Sequence, residues 1–140
     1  MDFFNTMRQA IVDKLETLTN LQEVYFAARS EFAGSPVAVV GVSQNEALYN
    51  SNRTDRMTFV FQVRIYIPLA NDADSAEVET NLGKAYAEVL EAFMDRQVLG
   101  AAADFVEPIA GTWSYEERTS GIYHVAEVNL RCVRFMNNQG

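Results

Sequence analysis

Side chains that could do chemistry are few in this sequence, and they are scattered. His124 and Cys132 are the lone histidine and cysteine of 140 residues. A histidine can act as a general base or a metal ligand near neutral pH. Its alternation partners Ile122 and Ala126 instead put His124 on the core-facing side of a strand, where a hydrogen-bonded structural role is the simpler expectation. Cys132 could be a nucleophile, but it shares register with Val128 and Leu130 and reads as a small buried hydrophobe. Asp72, Asp74, Glu77 and Glu79 invite a calcium reading. Their spacing lacks the glycine and the terminal glutamate of an EF-hand loop. Acids at a helix start are accounted for by capping and by the helix dipole. Glu116 and Glu117 resemble an acid/base pair, yet neighbours on a strand point to opposite faces, so they read as solvated turn residues. Trp113 follows Gly111 in an irregular strand and suits a core or a partner surface equally.

Longer signatures are missing. The sequence holds no Gly-rich phosphate loop, no paired cysteines, no His-x-x-x-His and no Gly-x-Ser-x-Gly. An enzyme would need a pocket with converging polar groups, and no set of residues here supplies one. The expectation is a protein without catalytic, metal or cofactor residues.

These residues must be positioned by a short series of elements. Phe4, Met7, Ile11, Leu15 and Leu18 recur at spacings of three and four, which predicts an amphipathic helix, with Asp2 near its start and Thr19-Asn20 as its stop. Glu23–Ala28 predicts a short strand. Ser35–Val42 is a β-branched run led by Pro36, with Gly41 suggesting a bulge or a close backbone approach. Ser43–Arg56 is polar and Asn-rich, and loops of such length are functional or mobile. The next strand, Thr58–Ile67, stops at Pro68. Asp74 and Glu77 have capping-box spacing before a long helix through Val78, Leu82, Tyr86, Val89, Phe93 and Met94, which Arg96 and Gly100 would close. Asp104–Glu117 reads as a strand broken at Pro108 and Gly111, "ERTSGI" as a turn, and Tyr123–Phe135 as a long alternating strand ahead of a short flexible "NNQG" tail.

That order predicts an α+β fold in one domain over residues 1–140. A mixed, mainly antiparallel sheet of four to five strands would carry both amphipathic helices on one face. Phe59, Phe61, Val63, Ile65 and Ile67 would meet Ile122, Ala126, Val128 and Leu130 beneath the helices. The other face carries Thr58, Val60, Gln62, Arg64 and Tyr66 beside Tyr123, Val125, Glu127, Asn129, Arg131, Val133 and Phe135. It is neither cleanly polar nor cleanly apolar. Aromatics and arginines among valines are what protein interfaces favour, so that face is expected to bind another protein. Within the long loop, Leu48 and Tyr49 are apolar among polar residues, with Arg53 and Arg56 close by. This loop is expected to order on contact.

Composition agrees with such a role. The net charge of −8 is a poor footprint for gripping duplex DNA, although it does not exclude a chain that lets DNA pass by, since an acidic surface repels phosphate. One cysteine allows no intrachain disulfide and fits a reducing compartment. The opening "MDFFNTMRQAIVDKLE" has an early acid and no apolar stretch, so no secretory signal is expected. No apolar run reaches the ~20 residues of a membrane helix.

The N-terminal helix "FFNTMRQAIVDKLETL", the strand "SPVAVVGV", the long polar loop, "RMTFVFQVRIYIPL", a single long helix and a Trp-bearing strand pair together resemble the tail terminator (tail completion) proteins of long-tailed bacteriophages, the group of the phage lambda terminator. The likeness covers nearly the whole chain and rests on element order, size and hydrophobic pattern. It implies a structural virion protein of the tail or neck, assembled in the host cytoplasm. Such a protein forms a hexameric ring that caps the tail tube, ends tube polymerisation and offers the head its docking surface. The implied partners are other copies of the chain, the tail tube protein and a head-completion or connector protein. The ring contacts themselves are expected at Leu48, Tyr49, Arg53, Arg56, Arg64, Tyr66, Trp113, Tyr123 and Arg131, chosen from the residues rather than from the resemblance. A head–tail connector or neck protein of similar shape is the near alternative, and a small ligand-binding or adaptor domain the more distant one.

Overall fold

The alternation in Thr58–Ile67 is the centre of the fold, because a strand flanked on both sides can hide every second residue on each face. The structure is a computed structural model and describes residues 3–25, 36–42, 48–50, 56–69, 75–95, 99–118 and 121–135. Its elements run α1 (Phe3–Glu16), β1 (Glu23–Tyr25), β2 (Val37–Val42), β3 (Leu48–Asn50), β4 (Arg56–Pro68), α2 (Ser75–Met94), β5 (Phe105–Arg118) and β6 (Gly121–Phe135). They build a six-stranded sheet in the order β1-β2-β4-β6-β5, with β3 also paired to β4. Only β1 and β2 run parallel; the remaining pairs are antiparallel. The α+β class, the mixed sheet and the placement of both helices agree with the sequence reading, and the sheet has one strand more than its upper count.

Both helices cover the same face. Met7, Ile11, Val12 and Leu15 of α1 and Val78, Leu82, Ala85, Val89 and Phe93 of α2 share one core with Phe61, Val63, Ile65, Ala126, Val128 and Leu130. Phe4 reaches down to Phe59 and Phe61, with ring centroids 5.5 and 5.2 Å away. Phe61 and Phe93 are among the largest wholly enclosed side chains. Truncating either to alanine is worth about 3–5 kcal/mol. Glu88 of α2 fastens the turn after α1: its carboxylate accepts from Thr19 Oγ1, Asn20 N and Asn20 Nδ2 at 2.9, 2.9 and 3.1 Å. Arg8 of α1 donates to Val40 O at 2.8 Å. Among the described residues the pairing of β1 with β2 reaches Val39, so this hydrogen bond falls one residue beyond it.

Several local expectations change. Ile122 is exposed and outside the core, because β6 has run past the helices at that point. Met94 is likewise exposed at the end of α2. Gly41 keeps an unbroken register opposite Gln62, and a side chain there would meet open space, so it marks neither a bulge nor a close approach. Residues 43–56 are not one loop: Leu48–Asn50 pairs with Arg56–Thr58 as a hairpin strand. Pro108 and Gly111 do not break β5; a single register shift between Pro108 and Ala110 absorbs the irregularity. Gly111 is needed for space. A Cβ there would lie 2.3 Å from the Tyr86 hydroxyl and 3.0 Å from Glu127 O. Gly100 opens a 3-10 turn (Gly100–Ala102) at φ 58° beyond the end of α2 and does not cap it. Asp2, Asp72, Asp74, Arg96, residues 26–28 of the first predicted strand and the "NNQG" tail lie outside the described residues.

Candidate interaction surfaces

The helix-free face of the sheet divides into three zones. At one end Tyr66 and Tyr123 meet edge to face with centroids 6.0 Å apart, packed with Val39 and Val125. Tyr66 is 3% and Tyr123 7% exposed. At the other end Thr58, Val60 and Val133 are buried too. Between them lies a belt of charge. Arg64 Nε donates to Glu127 Oε2 at 3.2 Å, and its Nη1 reaches Glu116 Oε1 at 3.4 Å. Gln62 Nε2 donates to Glu127 Oε1 at 2.8 Å. Arg118 Nε stands 3.3 Å from Glu116 Oε2, close enough for an ion pair but without hydrogen-bond geometry, and its guanidinium lies 5.1 Å from the Tyr66 ring centre. Further along, Arg131 pairs with Glu107 across β6 and β5, its Nε donating at 2.9 Å.

This belt is positioned by strand register alone. Gln62 and Arg64 on β4 face Asn129 and Glu127 on β6, and Glu127 faces Thr112 on β5. Opposite charges on adjacent strands stabilise such a face modestly, about 0.2–1 kcal/mol per pair. Burial pushes the Tyr66 phenol above its ordinary range, with Glu116 adding to the effect and the hydrogen bond from Arg64 opposing it. Tyr66 therefore stays neutral beside the belt at physiological pH.

The predicted contact residues separate accordingly. Arg64 and Arg131 are open to a partner. Tyr66 and Tyr123 are not, because the chain's own packing already encloses them. Leu48 and Tyr49 lie in β3, and Arg56 starts β4 opposite Asn50 and Phe135. Their side chains, and Arg53 altogether, lie outside the described residues. Trp113 belongs to a different surface: it sits on the helix side of edge strand β5, 47% exposed, against Tyr86 of α2 at 5.3 Å. Beside it Tyr115 is 62% exposed, and Ile122 is open as well. The sequence reading missed Tyr115. Its signal was alternation with Trp113 along the same strand.

His124 is enclosed beneath these rings. It is 5% exposed, stacked on Tyr115 at 4.6 Å and 16°, with Trp113 edge-on at 5.7 Å. It is core-facing, yet Nδ1 is buried and meets no hydrogen-bond partner among the described residues, so aromatic contacts rather than hydrogen bonds hold that side of the ring. Cys132 is wholly buried and its thiol is pushed up to about 12 by burial, which makes it inert. Glu116 and Glu117 occupy opposite faces of β5, not a turn, and Glu116 is tied into the belt. No three potential metal ligands come together among the described residues. An open cleft of about 250 Å³ between Asn20, Gln22, Asn81 and Lys84 shows no converging charged groups. No helix among the described residues is long and apolar enough to cross a membrane.

No protein-family model matches the chain, and no curated protein is significantly similar to it.

Proposed function

We propose that this chain is a structural assembly protein of the phage tail-terminator type, which joins other copies of itself in a ring at the end of a tail tube, stops tube growth and presents a docking surface for the head. The observation that carries the reading is the helix-free sheet face, where Arg64 stands in a belt of paired charges between two buried apolar zones and Arg131, paired with Glu107, is open beside the second zone. Charges so arranged orient a partner more than they hold it, which suits a subunit that must enter one register. A ring needs two different patches on each subunit. The belt serves as one, and the β3–β4 hairpin end, which carries Leu48, Tyr49 and Arg56, serves as the other. The acidic balance of 19 Asp and Glu against 11 Lys and Arg keeps DNA from adhering to the channel.

The test is tube length. Tail-tube protein from the same genome is polymerised with increasing amounts of this chain, and lengths are measured. The proposal predicts shorter tubes at substoichiometric amounts of the chain. Unchanged lengths at a molar excess refute it.

A further inference from the structure

We infer that the open edge of β5 is a self-association site, where two copies of this chain pair antiparallel about a two-fold axis at Ser114. The inference goes beyond the ring reading, because a two-fold contact closes after two copies and builds no ring.

The two edges of the sheet are treated differently. At the β1–β2 edge, Arg8 donates to the Val40 carbonyl just beyond the pairing described for Glu23–Tyr25. β5 is a 14-residue strand whose one strand neighbour among the described residues is β6, and on it Gly111, Thr112, Trp113, Ser114 and Tyr115 are all exposed. Long uncovered edges attract other chains unless proline, bulges or charge blunt them. Pro108 and the register shift blunt β5 only at its start. From Ala110 to Arg118 the strand is regular, and its pairing to β6 continues without a shift.

The sequence of that stretch selects a partner. In antiparallel pairing, residues directly opposite share a face. With Ser114 opposite Ser114 of the second copy, Trp113 faces Tyr115 and Tyr115 faces Trp113. The exposed rings then form one cluster over the joined edge, on the side where both are now solvated. Aromatic pairs across strands are among the stronger sheet contacts. Thr112 falls opposite Glu116, Gly111 opposite Glu117 and Ala110 opposite Arg118. No like charges oppose each other. Moving the axis by one residue to either side is less favourable: it sets Trp113 or Tyr115 against itself and leaves the second aromatic facing Gly111 or Glu117. Joined this way, the two sheets become one continuous sheet, and the β5 edge of each subunit is covered.

Cysteine cross-linking of the full chain tests the register. Native Cys132 is buried and does not compete. Ser114→Cys places two thiols across the axis, within reach of a disulfide. Thr112→Cys places them about 13 Å apart, out of reach. Both positions are exposed, so both variants fold. Under mild oxidation, Ser114→Cys is expected to give at least tenfold more covalent dimer than Thr112→Cys. Sedimentation of the unmodified chain is expected to show a dimer, and Ser114→Lys, which sets two like charges face to face, is expected to weaken it by about tenfold. Equal cross-linking of the two cysteine variants overturns the inference. So does a chain that sediments as a monomer at every concentration. Neither result bears on the tube-length assay.

Discussion

Gly111→Ala is a small change with a calculable cost. The new Cβ would lie 2.3 Å from the Tyr86 hydroxyl, 3.3 Å from Tyr86 Cζ and 3.0 Å from Glu127 O. The carbonyl belongs to β6 and cannot retreat without disturbing the ladder, whereas Tyr86 can swing. Once it swings, Tyr86 leaves Trp113, whose ring centre is 5.3 Å away. An aromatic pair of this kind is worth about 0.5–1.5 kcal/mol beyond its area. Uncovering half-buried ring surface costs about 1 kcal/mol more. Against this, losing the glycine's freedom in the unfolded chain returns about 0.4–1 kcal/mol. The expected net loss is about 0.5–2 kcal/mol. Trp113 is the single tryptophan, so urea unfolding followed by its fluorescence reads the stability and the local environment together. Tyr86→Phe removes the atom at 2.3 Å, so the double variant should be less destabilised than the sum of the single changes. A Gly111→Ala protein as stable as the parent, with unchanged emission, would refute the packing argument. Strict additivity in the cycle would refute the assignment to Tyr86.

Other outcomes follow from the same structure. Glu88→Ala removes the acceptor for Thr19 and Asn20 and should cost about 1–3 kcal/mol in urea unfolding, with helical content largely kept. Arg64→Glu should cost no more than about 1–2 kcal/mol, since its partners are partly solvated, while weakening ring or tube association measured by light scattering far more. Cys132 should resist alkylation at pH 8 in the folded protein and react on unfolding. Its thiol ionises near the usual range in the unfolded chain but only at about 12 in the folded one. Between those values the unfolded state binds fewer protons, so this group lowers stability as pH rises, by ~1.4 kcal/mol per pH unit. The slope should be measurably shallower in Cys132→Ala.

Periodicity made much of the fold legible. Phe61, Val63 and Ile65 had to share a face, and the three-and-four spacing of Met7, Ile11 and Leu15 had to meet it. Periodicity does not say where a cover ends. Ile122 and Met94 follow the same patterns as their buried neighbours, yet each lies past the point where helix and sheet overlap. Nor does it give strand pairing for short segments. Leu48–Asn50 forms a strand because Arg56–Thr58 extends beyond β2 and offers a free edge, a property of the neighbour rather than of the segment. The interaction surface was read less well. Tyr66 and Tyr123 have interface-like chemistry, but their register sets them together and encloses them. Tyr115 looked ordinary, yet it stands open on the outermost strand. Side-chain type alone does not show which strand is the edge.

The proposal that the chain caps a tube is tested most directly by electron microscopy of tubes assembled with it. Image averages of tube ends should show an added ring at one end of each tube, absent without this chain and depleted with Arg64→Glu. Tube ends identical with and without the chain would contradict the proposal.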